Sequence, residues 1–292
     1  MGTFIGIKIE ADENGAAILD DAFAAIRKME KAFSVFEKGS EISRLNRLKK
    51  MQVSDETLRL IKKSNHISLI TKGAFDITCK PLTDLYREAE KRNSPPSGKE
   101  IKAVLQRTGW QKIIIKGNCV ELPAGGEIDP GGIAKGYIVD RTADFLKAKG
   151  VKNAVVNAGG DIYAFGKNEQ GKKWRIGIRD PFDKDSLRGV VEVSGFALAT
   201  SGDYERHFTI KKKKYGHIIN PATGISVQNS PAGVTVSAPD CATADALATA
   251  FFVLGATKSI RIADTLEGVE VFIIGGDKKI HKSKKFSTIS FP

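Results

Sequence analysis

The chain has 292 residues, of which 41% are hydrophobic and 27% charged, and its formal net charge is +12 at pH 7. This composition is typical of a folded globular protein and excludes an intrinsically disordered one. The longest apolar runs are too short to predict a membrane-spanning helix, and the three cysteines lack the spacing of a disulfide framework or a zinc site.

The N-terminal part of the chain is predicted to begin with a strand, Phe4–Glu10, that is followed by helices. Apolar residues at helical spacing predict a helix from about Ala16 to Phe33. The segment that follows it, FEKGSEISRLN, is predicted to be a loop. A second helix is predicted over Asp55–Thr71 with Ser54 as its N-cap.

The middle of the chain is predicted to be a loop, a short helix and a hairpin. Proline, glycine and serine predict the loop at Asn93–Lys99, and Ile101–Arg107 follows as the helix. The strand Lys112–Lys116 is predicted to pair with Cys119–Leu122. From Glu127 the pattern is strand, glycine turn, helix, strand and glycine turn. Because strands and helices do not alternate strictly, we expect an α+β fold of two intermingled lobes.

The first glycine turn is EIDPGGIAKGYIVD, which leads into a helix that should end near Lys149, at Gly150. Two glycines before a helix N-terminus allow a phosphate to approach the free N–H groups, and Lys135 would add a positive charge. The turn matches neither common nucleotide-binding pattern, so a purely structural strand-to-helix turn stays an alternative. The second glycine turn, in Val155–Gly166, carries Asn157, Gly159, Gly160 and Asp161 after an apolar strand and could also line a cleft.

A cluster of four lysines, Lys211–Lys214, lies between two short strand patterns. It predicts a solvated hairpin turn. The net charge favours anionic partners in general. The lysines lack interleaved aromatic residues, so the run does not predict a nucleic-acid-binding surface.

One histidine, His217, is placed on a strand that is predicted to end at the turn Asn220–Pro221. An imidazole with a pKa near 6.5 can accept a proton from a hydroxyl group at neutral pH. A structural role for His217 is the alternative.

The apolar helix TADALATAFFVLG carries Asp245 and Thr249 four residues apart, which puts both on one helix face. A buried carboxylate needs a partner, and two oxygen ligands suit a hard cation such as Mg2+. The alternative is a structural pair that hydrogen-bonds within the fold.

Eight segments, in order along essentially the whole chain, resemble one family, the FAD:protein FMN transferases or ApbE family. These segments are MGTF, SEISRLN, GAFDITCKPL, IDPGGIAKGYIVD, NAGGDI, TSGDYER, HIINPATG and ADALATA. The resemblance implies a single domain over residues 1–292, with an FAD and Mg2+ site in the cleft between its two lobes. It also implies Mg2+-dependent transfer of the FMN half of FAD to a threonine hydroxyl of an acceptor flavoprotein, with release of AMP.

The resemblance also implies roles for individual residues. The Mg2+ ligands are expected to be Asp245, Thr249 and the main-chain carbonyl of Gly132, and His217 is expected to be the general base. The residues expected to hold FAD are Met1, Phe36, Ala74, Phe75, Asp76, Asp129, Lys135 and Ile219. Two positions depart from the family's habit, since Asn220 stands where Asp is usual and Phe36 where Tyr is usual.

Family habit predicts an acceptor that is a redox-complex subunit or an FMN-binding domain, with its threonine among small residues. It also predicts a location in the periplasm or on the outer face of the cell membrane, with membrane association through an N-terminal segment; the sequence shows no such segment, so a cytoplasmic location is the alternative. A nucleic-acid partner is not expected. The alternative activities are an FAD pyrophosphatase that yields FMN and AMP, and a flavin-binding protein without turnover.

Overall fold

A computed structural model describes residues 3–10, 13–183, 185–202, 207–227 and 231–288. Its strands are β1 (Ile5–Glu10), β2 (Lys50–Gln52), β3 (Ile114–Lys116), β4 (Cys119–Glu121), β5 (Asn153–Ala158), β6 (Asp161–Phe165), β7 (Trp174–Arg179), β8 (Leu187–Val193), β9 (Phe196–Gly202), β10 (His207–Ile210), β11 (Lys213–Gly216), β12 (Gly233–Ala238), β13 (Glu270–Ile274) and β14 (Ile280–Lys282). Its α-helices are α1 (Gly15–Phe33), α2 (Glu41–Leu48), α3 (Asp55–Ile70), α4 (Lys80–Lys91), α5 (Gly98–Leu105), α6 (Ala134–Ala148), α7 (Cys241–Leu254) and α8 (Ala256–Ala263).

The largest sheet has seven strands in the order β1-β5-β6-β9-β12-β13-β14. Every neighbouring pair is antiparallel. The N-terminal strand therefore pairs with a strand from the middle of the chain, with Ile5 opposite Ala158 and Glu10 opposite Asn153. The mixed α+β class predicted from the sequence is confirmed.

Helices α6 and α7 pack against this sheet and against each other. Leu247 and Phe251 of α7 are fully buried, and helix α7 is apolar on nearly all sides because it lies inside the core. Burial of each such side chain stabilises the fold by about 1.5–3 kcal/mol. The two helices approach closely at Gly136, where an added Cβ would lie 2.2 Å from the carbonyl oxygen of Cys241. The core thus fixes α7 against the first turn of α6.

Helices α2 to α5 accompany two small sheets, a three-stranded one in the order β2-β4-β3 and the hairpin of β10 and β11. The hairpin packs on α4. Tyr86 of α4 stacks on Phe208 with ring centroids 5.7 Å apart, and its hydroxyl accepts a hydrogen bond from Ser226 N at 2.9 Å. Helix α4 therefore anchors both the hairpin and the segment that follows it.

Six predicted elements are confirmed within two residues, namely β1, α1, α3, β3, β4 and α7. Helix α6 ends one residue before the predicted Lys149, and β5 follows it as the predicted strand. Ser54 caps α3, as predicted, by accepting a hydrogen bond from Thr57 N. Gly150, with a φ of 85°, follows the end of α6 as predicted. The cysteines are free, also as predicted. In the described part of the chain, no helix has the length and apolarity needed to cross a membrane.

The prediction of a loop after α1 was wrong in part, because α2 occupies Glu41–Leu48. Ser40 caps this helix through a hydrogen bond from Ser43 N, and Ile42 and Leu45 are fully buried. A two-turn helix has too little sequence signal of its own, since its stability comes from tertiary burial.

Two further helix boundaries differ from the prediction. Helix α4 was not predicted; Pro81 lies in its first turn, where proline is tolerated. Helix α5 begins at Gly98 rather than Ile101, since Ser97 and Glu100 form a reciprocal capping box.

The strand predicted at Glu127 is also wrong, because the described residues from there to Ile133 form no strand. The main chain of Ile128 forms hydrogen bonds instead with the side chain of Asn46. Asn46 Nδ2 donates to Ile128 O, and Ile128 N donates to Asn46 Oδ1, both at 2.8 Å. A side-chain amide thus satisfies the polar groups that a neighbouring strand would otherwise pair with.

Candidate active site

The N-terminus of α7 is held by two carboxylates. Asp240 is its N-cap and accepts a hydrogen bond from Thr243 N at 2.8 Å. Asp140, which projects from α6, accepts hydrogen bonds from Cys241 N at 2.7 Å and Ala242 N at 2.9 Å. These acceptors satisfy main-chain N–H groups that have no partner within the helix. The start of α7 is therefore fixed to α6 by hydrogen bonds as well as by packing.

Asp245 and Thr249 lie one turn apart on α7, as the sequence predicted. Asp245 is 4% exposed, and Thr249 is half-buried. The Thr249 hydroxyl lies 3.4 Å from Ser201 Oγ at the end of β9. The face that carries these oxygens thus meets the end of β9, the central strand of the large sheet.

Lys135, in the first turn of α6, joins Asp245 to Asp161 at the start of β6. Its ammonium group pairs with Asp161 Oδ2 and lies 3.5 Å from Asp245 Oδ1. The other oxygen of Asp245 accepts a hydrogen bond from Gly136 N at 3.1 Å. Both glycine turns singled out in the sequence therefore deliver a charged side chain to α7.

The charges in this group do not balance. Two almost fully buried carboxylates, Asp161 and Asp245, face one ammonium group, that of Lys135. Burial raises the pKa of Asp161, and the nearby charge of Asp245 raises it further. Burial alone would lower the pKa of Lys135, but the two carboxylates outweigh this effect and raise it. Two acidic groups therefore share one basic partner in this buried cluster.

Gly132 lies against Thr249. A Cβ added at Gly132 would be 3.3 Å from Thr249 Oγ1 and 3.3 Å from Phe75 Cε2. Just before it, Asp129 Oδ1 accepts a hydrogen bond from Gly131 N at 2.9 Å, which shapes the turn. Burial raises the pKa of Asp129. The glycine turn, α7 and Phe75 therefore converge at one place.

The segment Ala74-Phe75-Asp76 is mostly buried. Ala74 is 7% exposed and Phe75 3% exposed. Asp76 uses both carboxylate oxygens within the protein, because Oδ1 accepts from Thr78 N at 2.8 Å and Oδ2 accepts from Trp110 N at 2.9 Å. Asp76 therefore shapes the turn that holds Phe75 near Gly132.

Two side chains on this face of α7 offer oxygen atoms, the carboxylate of Asp245 and the hydroxyl of Thr249, and Gly132 lies within contact of Thr249. No three His, Cys, Asp or Glu side chains in the described ranges come together as a metal site by themselves. Carboxylate, hydroxyl and main-chain oxygens are the ligands that a hard divalent cation prefers.

A sequence model described as the ApbE family matches residues 1–273. The chain belongs to the ApbE family. The family predicted from the eight sequence segments is thereby confirmed.

Individual ApbE relatives agree with this assignment. A protein named FAD:protein FMN transferase from Vibrio cholerae is 34% identical over 266 residues, which cover 88% of this chain and 78% of the relative. A protein of the same name from Haemophilus influenzae is 31% identical over 284 residues, covering 90% and 81%.

Solved structures show the same fold. The flavin transferase ApbE from Vibrio cholerae matches with a TM-score of 0.86 and 31% identity, over 98% of this chain and 95% of that one. The ApbE protein from Thermotoga maritima matches with a TM-score of 0.87 and 31% identity, over 97% and 94%. The ApbE-like fold that the sequence predicted is therefore confirmed.

His217 follows directly after β11 and is half-buried. The prediction that it lies on a strand was wrong, since β11 ends at Gly216. Two residues later, Ile219 forms an isolated bridge with Ser226 and is 6% exposed. Ile219 belongs to the apolar cluster around Tyr86 of α4, against which Tyr215 of the hairpin also packs, so the chain is anchored on both sides of His217.

Asn220 and Phe36, the two positions that depart from the family's habit, each make a local contact. Asn220 Oδ1 accepts a hydrogen bond from Ala222 N at 2.9 Å, so asparagine supplies the turn acceptor that an aspartate would supply. The Phe36 ring is 79% exposed, and the Arg87 guanidinium lies 5.8 Å from its centroid. The predicted FAD contact Met1 lies outside the described residues.

Sequence reasoning missed the parts played by Asp140 and Arg87. Asp140 had a signal, because it follows Gly136 by four residues and so lies on the helix face that meets α7. Arg87 had no such sequence signal, because helix α4, which carries it, was not predicted. Sequence reasoning also placed Lys135 and Asp161 in separate turns, and only the fold pairs them.

Proposed function

We propose that this ApbE-family chain transfers the FMN half of FAD to a threonine hydroxyl of an acceptor flavoprotein, with Mg2+ as cofactor and AMP as the second product. Relatives that cover most of the chain carry the name FAD:protein FMN transferase. The observation that carries the proposal is the meeting of Asp245, Thr249 and Gly132 beside the ion pair of Lys135 and Asp161.

The residues around Asp245 fit a magnesium ion. Asp245 and Thr249 would supply side-chain oxygens, and Gly132 a main-chain oxygen. The pairing of two buried carboxyl groups, Asp161 and Asp245, with the single ammonium group of Lys135 supports this, because a nearby cation would favour the ionised form of both. When bound, Mg2+ would neutralise negative charge on the phosphates of FAD as the phosphoryl group moves.

We place FAD between the large sheet with α6 and α7 and the region built from α2 to α5. The residues proposed to contact it are Met1, Phe36, Ala74, Phe75, Asp76, Asp129, Lys135 and Ile219. Gly132 and Phe75 support this placement, since they bring elements of the two regions within contact of Thr249. We treat residues 1–292 as one domain because this site needs elements from along the whole chain.

His217 is proposed to take the proton from the acceptor threonine. The threonine oxygen then bonds to the phosphorus of the FMN half, and the bond from that phosphorus to the bridging oxygen breaks. AMP departs with the bridging oxygen and its electron pair. A neutral imidazole is suited to this step, because its unprotonated ring nitrogen can accept a proton.

The test is an assay with FAD and Mg2+, with and without a threonine-bearing FMN-binding domain, in which AMP, free FMN and acceptor-bound flavin are separated by chromatography. AMP matched by acceptor-bound flavin supports the transferase. AMP with free FMN, whether or not acceptor is present, would make the protein a pyrophosphatase. The absence of AMP under all conditions would leave a flavin-binding protein.

The general base is tested by His217→Ala, with His66→Ala as control because His66 is exposed on α3. General-base catalysis contributes about 10²- to 10⁴-fold, so the first variant should bind FAD but lose transfer by that factor. The control should keep its activity. A His217→Ala rate above about a third of the wild-type rate would rule out this role.

A further inference from the structure

The hairpin of β10 and β11 presents four consecutive lysines, Lys211–Lys214, at its turn. Lys211 and Lys212 adopt positive φ values of 48° and 63° at the tip. The turn is anchored to the end of α4, because Lys211 N donates to Asn93 Oδ1 and Thr209 N donates to Glu90 Oε1, each at 2.6 Å. The lysines are therefore held on a positioned element of the structure.

One face of the hairpin is buried and the other is open. Phe208 and Ile210 point into the cluster on α4, and Tyr215 packs with them. Thr209 and Lys214 are directly opposite each other in the register and are both exposed. Since side chains alternate between the faces of a strand, the outward face carries Thr209 and Lys214 next to the lysines of the turn.

The positive charge on this hairpin is not neutralised within the described part of the chain. None of the four ammonium groups forms an ion pair there, and the Lys213 ammonium lies 5.4 Å from the centroid of the Tyr215 ring. Glu90 touches the hairpin by accepting a hydrogen bond from a main-chain N–H, that of Thr209. A solvated turn needs no more than a few polar residues, so four adjacent like charges exceed what the fold requires.

The hairpin leads directly to His217. The register pairs His207 with Gly216 at its base, and His217 is the next residue. At a rise of about 3.3 Å per residue, Lys214 lies about 10 Å along the chain from His217 and Lys212 about 16 Å. The lysines thus begin roughly one Debye length from the proposed base at physiological salt.

We propose that the outward face of this hairpin docks an acidic segment of the acceptor protein and so directs the acceptor threonine to His217. The inference rests on the proposed function and adds the chemistry of the partner. From the spacing, the acidic residues should lie three to five positions from the threonine. The location of the hairpin beside His217 favours a protein partner over a lipid surface, because the segment that docks must also deliver the hydroxyl.

The test uses fluorescein-labelled peptides in which a threonine among small residues is followed, three positions later, by four aspartates, or by four asparagines in the matched peptide. The hairpin variant is Lys212→Gln/Lys214→Gln. The control is Lys172→Gln/Lys173→Gln, which removes the same charge from exposed lysines ahead of β7. Binding is measured by fluorescence anisotropy at low and high salt, and flavin transfer to each peptide is measured separately.

The wild-type protein and the control should bind the aspartate peptide more tightly than the asparagine peptide, by about 3- to 30-fold at low salt. The hairpin variant should lose most of this preference and of its salt dependence, with unchanged FAD binding. Equal binding of the two peptides, or an equal loss in both variants, would overturn the docking site. Selective binding without any flavin transfer would instead count against the proposed function and leave the docking site standing.

A final comparison uses vesicles of neutral phosphatidylcholine with and without anionic phosphatidylglycerol. Docking to protein predicts that substitution of the two lysines affects peptide binding more than vesicle binding. The inference would be overturned in favour of a lipid surface if the substitution abolished binding to anionic vesicles and left peptide binding unchanged.

Discussion

Substitution of Gly136 by alanine should displace the helix that carries the proposed metal ligands. The added Cβ would lie 2.2 Å from Cys241 O and 2.8 Å from Ala242 N, whereas ordinary contact begins at 3.4 Å. The difference of 3.4 − 2.2 = 1.2 Å must come from movement of the main chain of α7 or α6. Forcing extra atoms into a packed core costs about 1–3 kcal/mol, and here the obstacle is main chain, so we expect about 3 kcal/mol.

A matched control is Gly98→Ala, since Gly98 is also helical but has no atom within 4 Å of the added Cβ. Both changes gain the same helix propensity, up to about 1 kcal/mol. In thermal unfolding, Gly136→Ala should lower Tm by roughly 5 °C, and Gly98→Ala should leave it unchanged or slightly higher. Weaker binding of Mg2+ is expected only for Gly136→Ala. Equal Tm values and equal Mg2+ affinities in both variants would refute the close approach of α6 and α7.

Three other outcomes can be measured directly. Burial raises the pKa of Asp140 from 3.8 to about 7, so its ionisation destabilises the folded state as the pH rises through that interval. When the pH is raised from 5 to 8, the free energy of unfolding in urea should therefore fall less for Asp140→Asn than for the wild type, by on the order of 2 kcal/mol. Parallel curves of unfolding free energy against pH would contradict this. Asp245→Ala should abolish the Mg2+ dependence of any AMP release, whereas an unchanged Mg2+ titration would exclude Asp245 as a ligand. Iodoacetamide should modify Cys119 before Cys79 and Cys241, because burial raises the pKa of both of the latter thiols. Faster modification of Cys79 or Cys241 than of Cys119, followed by mass spectrometry, would contradict this prediction.

The sequence predicted the elements whose periodicity is strong and whose ends carry their own signals. Helix α3 has Ser54 as its cap, and α6 is followed by Gly150. Helix α7 was predicted together with the relation of Asp245 to Thr249, because a spacing of four residues fixes their relative direction on any helix. These features depend on neighbours in the chain, so local sequence contains the information.

What the sequence could not predict depends on contacts between distant segments. Helix α2 is stabilised by burial of Ile42 and Leu45, and the segment at Ile128 is held by the side chain of Asn46, which lies 82 residues away in the chain. The pairing of Lys135 with Asp161 likewise requires α6 and β6 to meet. Neither composition nor periodicity specifies such encounters, so the charge balance of the site became visible only in the fold.

The pairing of β1 with β5 has a consequence for synthesis of the protein. About 140 residues separate the end of β1 from the start of β5. At 5–20 residues per second, a ribosome needs roughly 7 to 30 seconds to supply the partner strand. During that time the alternating strand at the N-terminus has no neighbour and can attract chaperones or other nascent chains. Codons that slow translation before residue 158 should therefore lower the yield of soluble protein more than the same codons placed after it.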